Sequence, residues 1–476
     1  MCKTRLVISL FCLALWVRVP LLAQEAAPAP SDSAASGARN SAAADPSKGD
    51  TQETERLRRA AEAGDAVAMN ALGDRYYEGR GVTKDNAQAL LWYRKAAEAG
   101  STHAMVQAGY LYSAAQDYSE AMAWFRRAAQ AGSERGMAAI GIMYRDGLGI
   151  SQNYNEAMSW FRKAVEGGSP VAMAEIGVLY EQGEGVLRDY AEAMTWYRRA
   201  AEAGNAAAMF NIGVLYERGR GVARDYAEAM AWYRKAAEAG DTSAMYNIGG
   251  LLTEGKGVSR DYGAAMLWYR KAAEAGSAAA MFNIGFMYEQ GKGVVRDYEQ
   301  AMAWYHKAAD AGHPAAMLSI GVMYEQGRGV AADAKEALAW YRKAADGGDT
   351  RAMHNIASMY AYGKGVPVDY KEELFWLRRA AEAGDATAMC YVGGIYETGQ
   401  GTNRDLAEAR RWYEAAAAAG SPEAKKALVG LSRRESLIRS MFWGGLSAVV
   451  LLAAIVLLNG WRARRRRNRA NTIPPQ

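Results

Sequence analysis

The sequence predicts an all-α protein built from stacked pairs of antiparallel helices. Its tryptophans recur at a nearly fixed distance, with a first step of 32 residues and eight further steps of 36 residues, which is typical of repeat arrays. Each unit contains two stretches with a helical spacing of apolar residues, so one unit is predicted to be one helix pair. The tryptophans that define the period are Trp92, Trp124, Trp160, Trp196, Trp232, Trp268, Trp304, Trp340, Trp376 and Trp412.

The stretch from Asn205 to Gly240 illustrates the unit, and it reads NAAAMFNIGVLYERGRGVARDYAEAMAWYRKAAEAG. Its two halves carry one apolar helical stripe each. The first stripe consists of Met209, Ile212, Gly213 and Tyr216, and the second of Ala229, Trp232, Tyr233, Ala236 and Ala237. We expect these stripes to form the core. In this interpretation Trp232 is buried between neighbouring helices and Gly213 allows the two helices to approach closely.

Helix boundaries are marked by capping residues. Asn205 is placed to cap the first helix, and Gly219 can supply the left-handed residue that ends it. Asp225 with Glu228 has the spacing of a capping box and is predicted to start the second helix. In the second repeat the Gly-x-Gly-Val loop is missing, and we interpret this as a shortened loop between two intact helices.

The repeated motifs resemble those of the Sel1-like repeat family, which is related to the tetratricopeptide repeats. The resemblance consists of Met-x-x-Ile-Gly-x-x-Tyr, Gly-x-Gly-Val, Asp-Tyr-x-x-Ala and Trp-Tyr-Arg-Lys-Ala-Ala-Glu-Ala-Gly, and ten copies cover residues 65–420. It implies a right-handed superhelix of helix pairs that binds proteins or peptides. Some secreted family members join each helix pair by a disulfide, whereas this chain has only Cys2, Cys12 and Cys390.

Four shorter segments flank the repeats. Residues 1–23 have the basic start and apolar run of a secretory signal peptide. Residues 24–51 are rich in Ala, Ser and Pro and are predicted to be a disordered linker. Residues 52–64 resemble a lone second helix and are predicted to cap the array at its N-terminal end. Residues 421–439 are predicted to form the C-terminal capping helix.

The C-terminal region contains an apolar run of eighteen residues, Met441 to Leu458, followed by six arginines between Arg462 and Arg469. This pattern predicts a transmembrane helix at residues 440–461 and a basic cytoplasmic tail at 462–476. With the predicted leader, it places the repeats outside the cytoplasm. Because no asparagine has Ser or Thr two places on, the sequence favours a bacterial inner membrane with periplasmic repeats over an endoplasmic-reticulum lumen.

The composition argues against catalysis, cofactors and nucleic acid. The four histidines lie at different repeat positions, and no Cys-x-x-Cys metal motif is present. We therefore expect no catalytic residue, no metal and no cofactor. The net charge of +5 comes from the leader and the tail, since removing their nine basic residues leaves 48 positive and 52 negative side chains. A mildly acidic body does not suggest a nucleic-acid partner.

A candidate peptide-binding face follows from analogy with tetratricopeptide repeats, in which first helices line a concave groove. The hypothesis assigns the groove to three aromatic residues and an asparagine ladder, because an amide both donates and accepts hydrogen bonds. These residues are Phe210, Tyr246, Phe282, Asn211, Asn247, Asn283 and Asn355. Two alternatives remain: each asparagine bonds the backbone of a neighbouring repeat, or a loop surface with Arg220, Lys256 and Lys292 binds the partner.

The function that this sequence favours is a non-catalytic scaffold or adaptor of the cell envelope. It would bind a protein or peptide in the groove and hold it near a membrane through residues 440–461. A second hypothesis is a sensor that regulates a membrane signalling complex. A third, for a eukaryotic source, is a lumenal adaptor of endoplasmic-reticulum-associated degradation, which the family resemblance implies. Cell-wall hydrolysis is the enzymatic alternative, and it has no motif in its favour.

Overall fold

The computed structural model describes residues 46–470, which form 22 helices and no strand. Helix α1 is Pro46–Glu62 and α22 is Pro422–Ala470. The first helices of the ten pairs are α2 Ala66–Glu78, α4 Thr102–Ala114, α6 Glu134–Asp146, α8 Pro170–Gln182, α10 Ala206–Arg218, α12 Thr242–Glu254, α14 Ala278–Gln290, α16 Pro314–Gln326, α18 Thr350–Tyr362 and α20 Ala386–Thr398. Their partners are α3 Asn86–Glu98, α5 Tyr118–Gln130, α7 Tyr154–Glu166, α9 Tyr190–Glu202, α11 Tyr226–Glu238, α13 Tyr262–Glu274, α15 Tyr298–Asp310, α17 Ala334–Asp346, α19 Tyr370–Glu382 and α21 Leu406–Ala418.

The predicted all-helical architecture of paired helices is confirmed, because nine of the ten first helices, all except α12, are shown to pack most closely on the second helix that follows. The predicted signal peptide at 1–23, residues 24–45 of the linker and residues 471–476 of the tail lie outside the described residues. Helix α1 begins at Pro46, so residues 46–51 of the predicted linker are helical.

The described chain divides into two compact units. Unit 1 contains residues 46–244 and 256–258, and unit 2 contains residues 245–255 and 259–470. Within unit 1, Tyr197, Ile212 and Leu215 are fully buried in one of the core clusters. Within unit 2, Tyr305 and Ile320 lie at the equivalent positions of another cluster and are also fully buried. The repeat therefore produces a series of similar small cores.

The capping residues act as the sequence predicts. The carboxylate of Asp225 accepts the backbone N–H groups of Ala227 and Glu228, and the Asn205 side chain accepts that of Ala208. Gly219 ends α10 with a φ of 66°, in the left-handed region that glycine adopts without strain. The local sequence thus sets where each helix begins and ends.

The second repeat retains both helices, which confirms the interpretation of a shortened loop. Helix α4 ends at Ala114 and α5 starts at Tyr118, so three residues make the turn. Gln116 adopts a φ of 63°, the only positive φ of a non-glycine residue in the described part of the chain. The tight turn therefore requires one strained residue where the other repeats use glycines.

Close contact between the two helices of a pair depends on glycine, as predicted for Gly213. A Cβ atom at this position would lie 2.5 Å from a ring carbon of Tyr233. The ring therefore packs directly on the helix backbone. In the ninth repeat Ala357 replaces the glycine, and the facing residue is Leu377 instead of an aromatic residue. The smaller side chain leaves room for the extra methyl group.

The structure corrects the prediction that Trp232 is buried between helices. Trp232 is only partly buried, whereas the adjacent Tyr233 is fully buried. One side of the indole packs on the core cluster, and the ammonium of Lys235 lies 4.0 Å from the ring centroid on the other. Because a cation three residues later covers the indole, this tryptophan lies at the boundary between core and solvent.

The predicted C-terminal capping helix and the predicted membrane span are parts of one helix, α22, of 49 residues. Its first turns pack on the array through Ala424 and Leu431, both buried. Among the residues that the structure describes, none of the helices has both the length and the apolar composition needed to cross a membrane. The predicted span at 440–461 is thus not found there, and the side chains of its residues 441–449 lie outside the described ones.

The unequal burial of two neighbouring aromatic residues generates a stability prediction. Tyr233→Ala is expected to lower the local free energy of unfolding by about 3–5 kcal/mol, because it removes a fully buried ring. Trp232→Ala is expected to cost less than about 2 kcal/mol, since part of the indole already faces water. Urea unfolding followed by circular dichroism measures both changes. Equal losses would contradict the assignment of the tyrosine to the interior.

Candidate partner-binding face

The seven candidate residues all lie on first helices and all are partly buried. Phe210 and Asn211 belong to α10 in unit 1. The other five are in unit 2: Tyr246 and Asn247 in α12, Phe282 and Asn283 in α14, and Asn355 in α18. Each aromatic residue precedes an asparagine on the same helix, so the two kinds of side chain follow one another along the repeats of a unit.

The three aromatic candidates pack on tyrosines of their own repeat. The ring centroids of Phe210 and Tyr233 are 5.6 Å apart, and those of Phe282 and Tyr305 are 5.5 Å apart. Tyr246 contacts Tyr269 in the same way, at 5.7 Å. These rings therefore cover the core tyrosines while keeping one edge at the surface. They contribute to packing and are available to a partner at the same time.

The asparagines lie close to tyrosines of the preceding repeat. Burial is the main cause that raises the pKa of Tyr197, on the second helix of the preceding repeat, and the Asn211 amide acts to lower that pKa. Asn355 acts in the same way on Tyr341. A bond from each asparagine to the backbone of a neighbouring repeat stays a prediction. One amide group has donor and acceptor capacity for a ligand.

The same tyrosines donate to glutamates of their own repeat. The hydroxyl of Tyr197 lies 2.9 Å from Glu181, and that of Tyr341 lies 2.7 Å from Glu325. Burial raises the pKa of Tyr197 well above its usual value and raises that of Tyr269 to about 12. These tyrosines therefore keep their protons at neutral pH and remain hydrogen-bond donors.

Each of these glutamates also meets a cation from the next repeat's loop. Arg220 lies 3.5 Å from Glu181, and Lys364 lies 2.9 Å from Glu325. Burial acts to raise the pKa of Glu325, but the ammonium of Lys364 and the Tyr341 hydroxyl outweigh it and hold that pKa below its usual value. Arg220, a candidate for the alternative loop site, is therefore engaged in the contact between two repeats.

One carboxylate beside the first helices of unit 2 lies close to a histidine. The imidazole of His354 lies 3.3 Å from the carboxylate of Asp385. The proximity of His354 is the main cause that lowers the pKa of Asp385 to about 2, burial opposes it, and the capping N–H of Ala388 adds to it. The carboxylate is therefore ionised at neutral pH.

Three positions of each first helix in unit 2 give a set of residues without acidic or basic side chains, apart from His354, and His313 of the same unit stacks on one of them, Phe282. We call it the first-helix face of unit 2 and define it by Tyr246, Asn247, Gly250, Phe282, Asn283, Phe286, Leu318, Ser319, Val322, His354, Asn355, Ser358, Cys390, Tyr391 and Gly394. At Gly250 a Cβ atom would meet nothing within 4 Å. The face is therefore open at this residue.

The sequence argument missed two features of this face. Tyr391 occupies the position of the ladder asparagine in the tenth repeat, and its side chain is 58% exposed. Its ring lies edge-on to His354, with centroids 5.9 Å apart. Tyr391 could have been noticed in the sequence because it replaces the asparagine found at this position in most of the preceding repeats of unit 2. Gly250 carried a similar signal, because Val214 stands at the equivalent position one repeat earlier.

The described residues contain no cluster of histidine, cysteine or carboxylate side chains that could hold a metal ion. Cys390 is partly buried, and burial raises the pKa of its thiol. His313 is partly buried against Phe282, with ring centroids 5.0 Å apart. Cys390 and His313 lie in different repeats of the described chain.

Comparison with known proteins gives a consistent result. A structure of c5321, a protective antigen present in uropathogenic Escherichia coli strains, displays an SLR fold and is 32% identical, with a TM-score of 0.44, over 80% of this chain and 90% of that one. A Sel1 repeat protein from Oxalobacter formigenes is 38% identical, with a TM-score of 0.46, over 52% of this chain and 99% of that one. No curated protein matches the chain.

The family model of the Sel1 repeat matches ten consecutive segments. They are residues 66–101, 102–133, 135–169, 170–205, 206–241, 242–277, 278–313, 314–349, 350–385 and 386–421. Each matched segment corresponds to one of the ten helix pairs, with α6 starting one residue before its segment. The chain therefore belongs to the Sel1 repeat family.

Proposed function

We propose that this protein is a non-catalytic scaffold that binds a protein or peptide on the first-helix face of unit 2. Arrays of Sel1 repeats, like the related tetratricopeptide repeats, have a fold that typically serves protein interaction. The observation that carries the proposal is the open, nearly uncharged surface around Gly250. An extended peptide backbone is itself uncharged and presents alternating donors and acceptors, so its chemistry suits such a surface.

In this proposal, different residues of the face provide hydrogen bonds and apolar contact area to the partner. Asn283 and Asn355 lie beside tyrosines of the preceding repeats, and the donor and acceptor capacity of their amides suits a peptide main chain. Tyr246 and Phe282 provide apolar area beside the amides. Tyr391 extends the surface to the tenth repeat with an exposed aromatic ring of the kind that dominates binding energy at interfaces.

Gly250→Arg tests the face at a position where an added Cβ atom meets nothing within 4 Å, so the new side chain starts from open space. We expect the variant to bind a captured envelope partner at least about 10-fold more weakly, a change of about 1.4 kcal/mol. The partner is captured by cross-linking to the full chain, purified, and titrated against each variant. Ala303→Arg is the matched control, since it adds the same charge at an exposed position of α15. It is expected to bind normally.

The loop surface with Arg220, Lys256 and Lys292 is the rival site in this experiment. Arg260 and Arg296 are exposed residues of the loops that contain Lys256 and Lys292, and Arg260→Glu with Arg296→Glu reverses two charges there while Arg220 keeps its contact with Glu181. If the loop variant loses the partner while Gly250→Arg keeps it, the partner binds the loops and the proposal for the first-helix face is wrong.

We further propose that the protein is a single-pass membrane protein of the bacterial inner membrane, with periplasmic repeats and a cytoplasmic C-terminus. The support is the order of signals in the sequence: a leader, the repeats, an apolar run and an arginine cluster. The described large apolar side chains from Val450 to Leu458 are at least 50% exposed on α22, and large apolar surfaces of this kind favour a non-aqueous environment.

Reporter fusions test this topology. A reporter that is active only in the cytoplasm should work when fused after Gln476 and fail after Gly420, because the arginine cluster retains the tail inside. A reporter that is active only outside the cytoplasm is the matched control and should give the opposite pattern. Cytoplasmic activity of the fusion after Gly420 would overturn the localisation and leave the peptide-binding proposal standing.

A further inference from the structure

One junction between repeats inverts the charges that several of the other junctions use. In those other junctions, a glutamate accepts a hydrogen bond from the tyrosine hydroxyl of its own repeat. An amide or hydroxyl side chain of the next repeat lies beside that tyrosine, and a cation in the loop of the next repeat forms an ion pair with the glutamate. We call this the consensus junction. One example consists of Glu181, Tyr197, Asn211 and Arg220, and another of Glu325, Tyr341, Asn355 and Lys364.

The junction between the third and fourth repeats changes all four residues together. Arg145 stands in place of the glutamate, Phe161 in place of the tyrosine, Glu175 in place of the asparagine and Glu184 in place of the loop cation. We call these four residues the inverted junction. Because the substituted residues complement each other, the junction remains paired although the charges at two of its positions are reversed.

The inverted junction is deeply buried. The guanidinium of Arg145 contacts the carboxylate of Glu175 directly, and the two side chains are 11% and 2% exposed. The guanidinium also donates two hydrogen bonds to Asp146, from Nε to Oδ1 at 2.7 Å and from Nη2 to Oδ2 at 2.8 Å. Phe161 is fully buried, and its lack of a hydroxyl leaves Glu175 dependent on Arg145. Burying the carboxylate of Glu175 without a nearby cation such as Arg145 would lower the stability of the folded chain.

Near-identical repeats create a problem of register that this junction can solve. Any second helix of a consensus repeat can pack on any first helix of another consensus repeat with its polar groups satisfied. If the fourth repeat instead followed a consensus repeat, Glu175 and Glu184 would face a glutamate and find no cation. If it followed the second repeat, Glu175 would face Phe125 and Ser113.

We propose that the inverted junction is a register lock, which admits only the fourth repeat next to the third. A buried ion pair is seldom a net source of stability, and its best-attested role is to specify one pairing among several that are otherwise similar. The lock makes mispaired stacks unfavourable during folding, because each of them leaves a buried charge without its partner.

Deletion of whole repeats tests the lock. Deleting residues 133–168 removes the third repeat and places Glu175 beside Phe125. Deleting residues 313–348 is the matched control, since it joins Glu289 and Tyr305 to Asn355 and Lys364 in a new consensus junction. We expect the first deletion to melt about 3–5 °C below the second, the effect of an unpaired buried charge in a protein of this size. Circular dichroism of the full chain in mild detergent measures both.

Glu175→Ala separates the lock from other consequences of the deletion. In the intact chain, the junction of the second and third repeats combines Phe125 with the fully buried Ala139. Glu175→Ala in the chain without residues 133–168 recreates that combination and is expected to recover most of the lost melting temperature. In the full chain, the same substitution removes the partner of Arg145 and is expected to lower the melting temperature.

The decisive result is that Glu175→Ala raises the melting temperature of the chain without residues 133–168 and lowers that of the full chain. If the chain without residues 133–168 does not fold at all, the measurement becomes whether Glu175→Ala restores its folding. Restored folding supports the lock. Equal melting of the two deletions, or no recovery with Glu175→Ala, would overturn the proposal. These outcomes do not depend on whether Gly250→Arg weakens partner binding.

Discussion

The array depends on an aromatic ring packed directly on a glycine backbone. In nine of the ten repeats a ring of the second helix faces a glycine of the first, and a Cβ there would lie 2.4–2.7 Å from that ring. This contact holds the two helices at close distance and directs the tyrosine hydroxyl toward the end of the pair. The ninth repeat differs in both residues at once: Ala357 replaces the glycine, and the aliphatic Leu377 replaces the ring that would contact it.

The direction of that hydroxyl explains how one repeat is joined to the next. Tyr305 donates to Glu289 at 2.6 Å, and Arg328 of the following repeat lies 3.3 Å from the same carboxylate. A buried hydroxyl needs a partner, and the partner's charge in turn needs a cation. The consequence is a chain of paired groups between repeats, which leaves the neighbouring first-helix face of unit 2 with little charge of its own.

The candidate face could be predicted only in part. The sequence located the aromatic residues and the asparagines on first helices, and the structure places them there. It did not show that Asn211 and Asn355 lie beside tyrosines of the preceding repeats, because those tyrosines lie on other helices. The junctions join residues 16 and 39 positions apart, which no window of helical length contains.

The sequence by itself determined the period, the number of helix pairs and the helix ends, because these depend on residues within one or two turns of each other. Asp225 caps a helix through its own next residues, and Gly219 ends one by its own backbone freedom. The tertiary structure alone decided which of two adjacent aromatic residues is interior. Trp232 and Tyr233 both match the helical stripe, yet adjacent residues point about 100° apart on a helix. Only the position of the partner helix, set by Gly213, decides that Tyr233 enters the core while Trp232 stays at its edge.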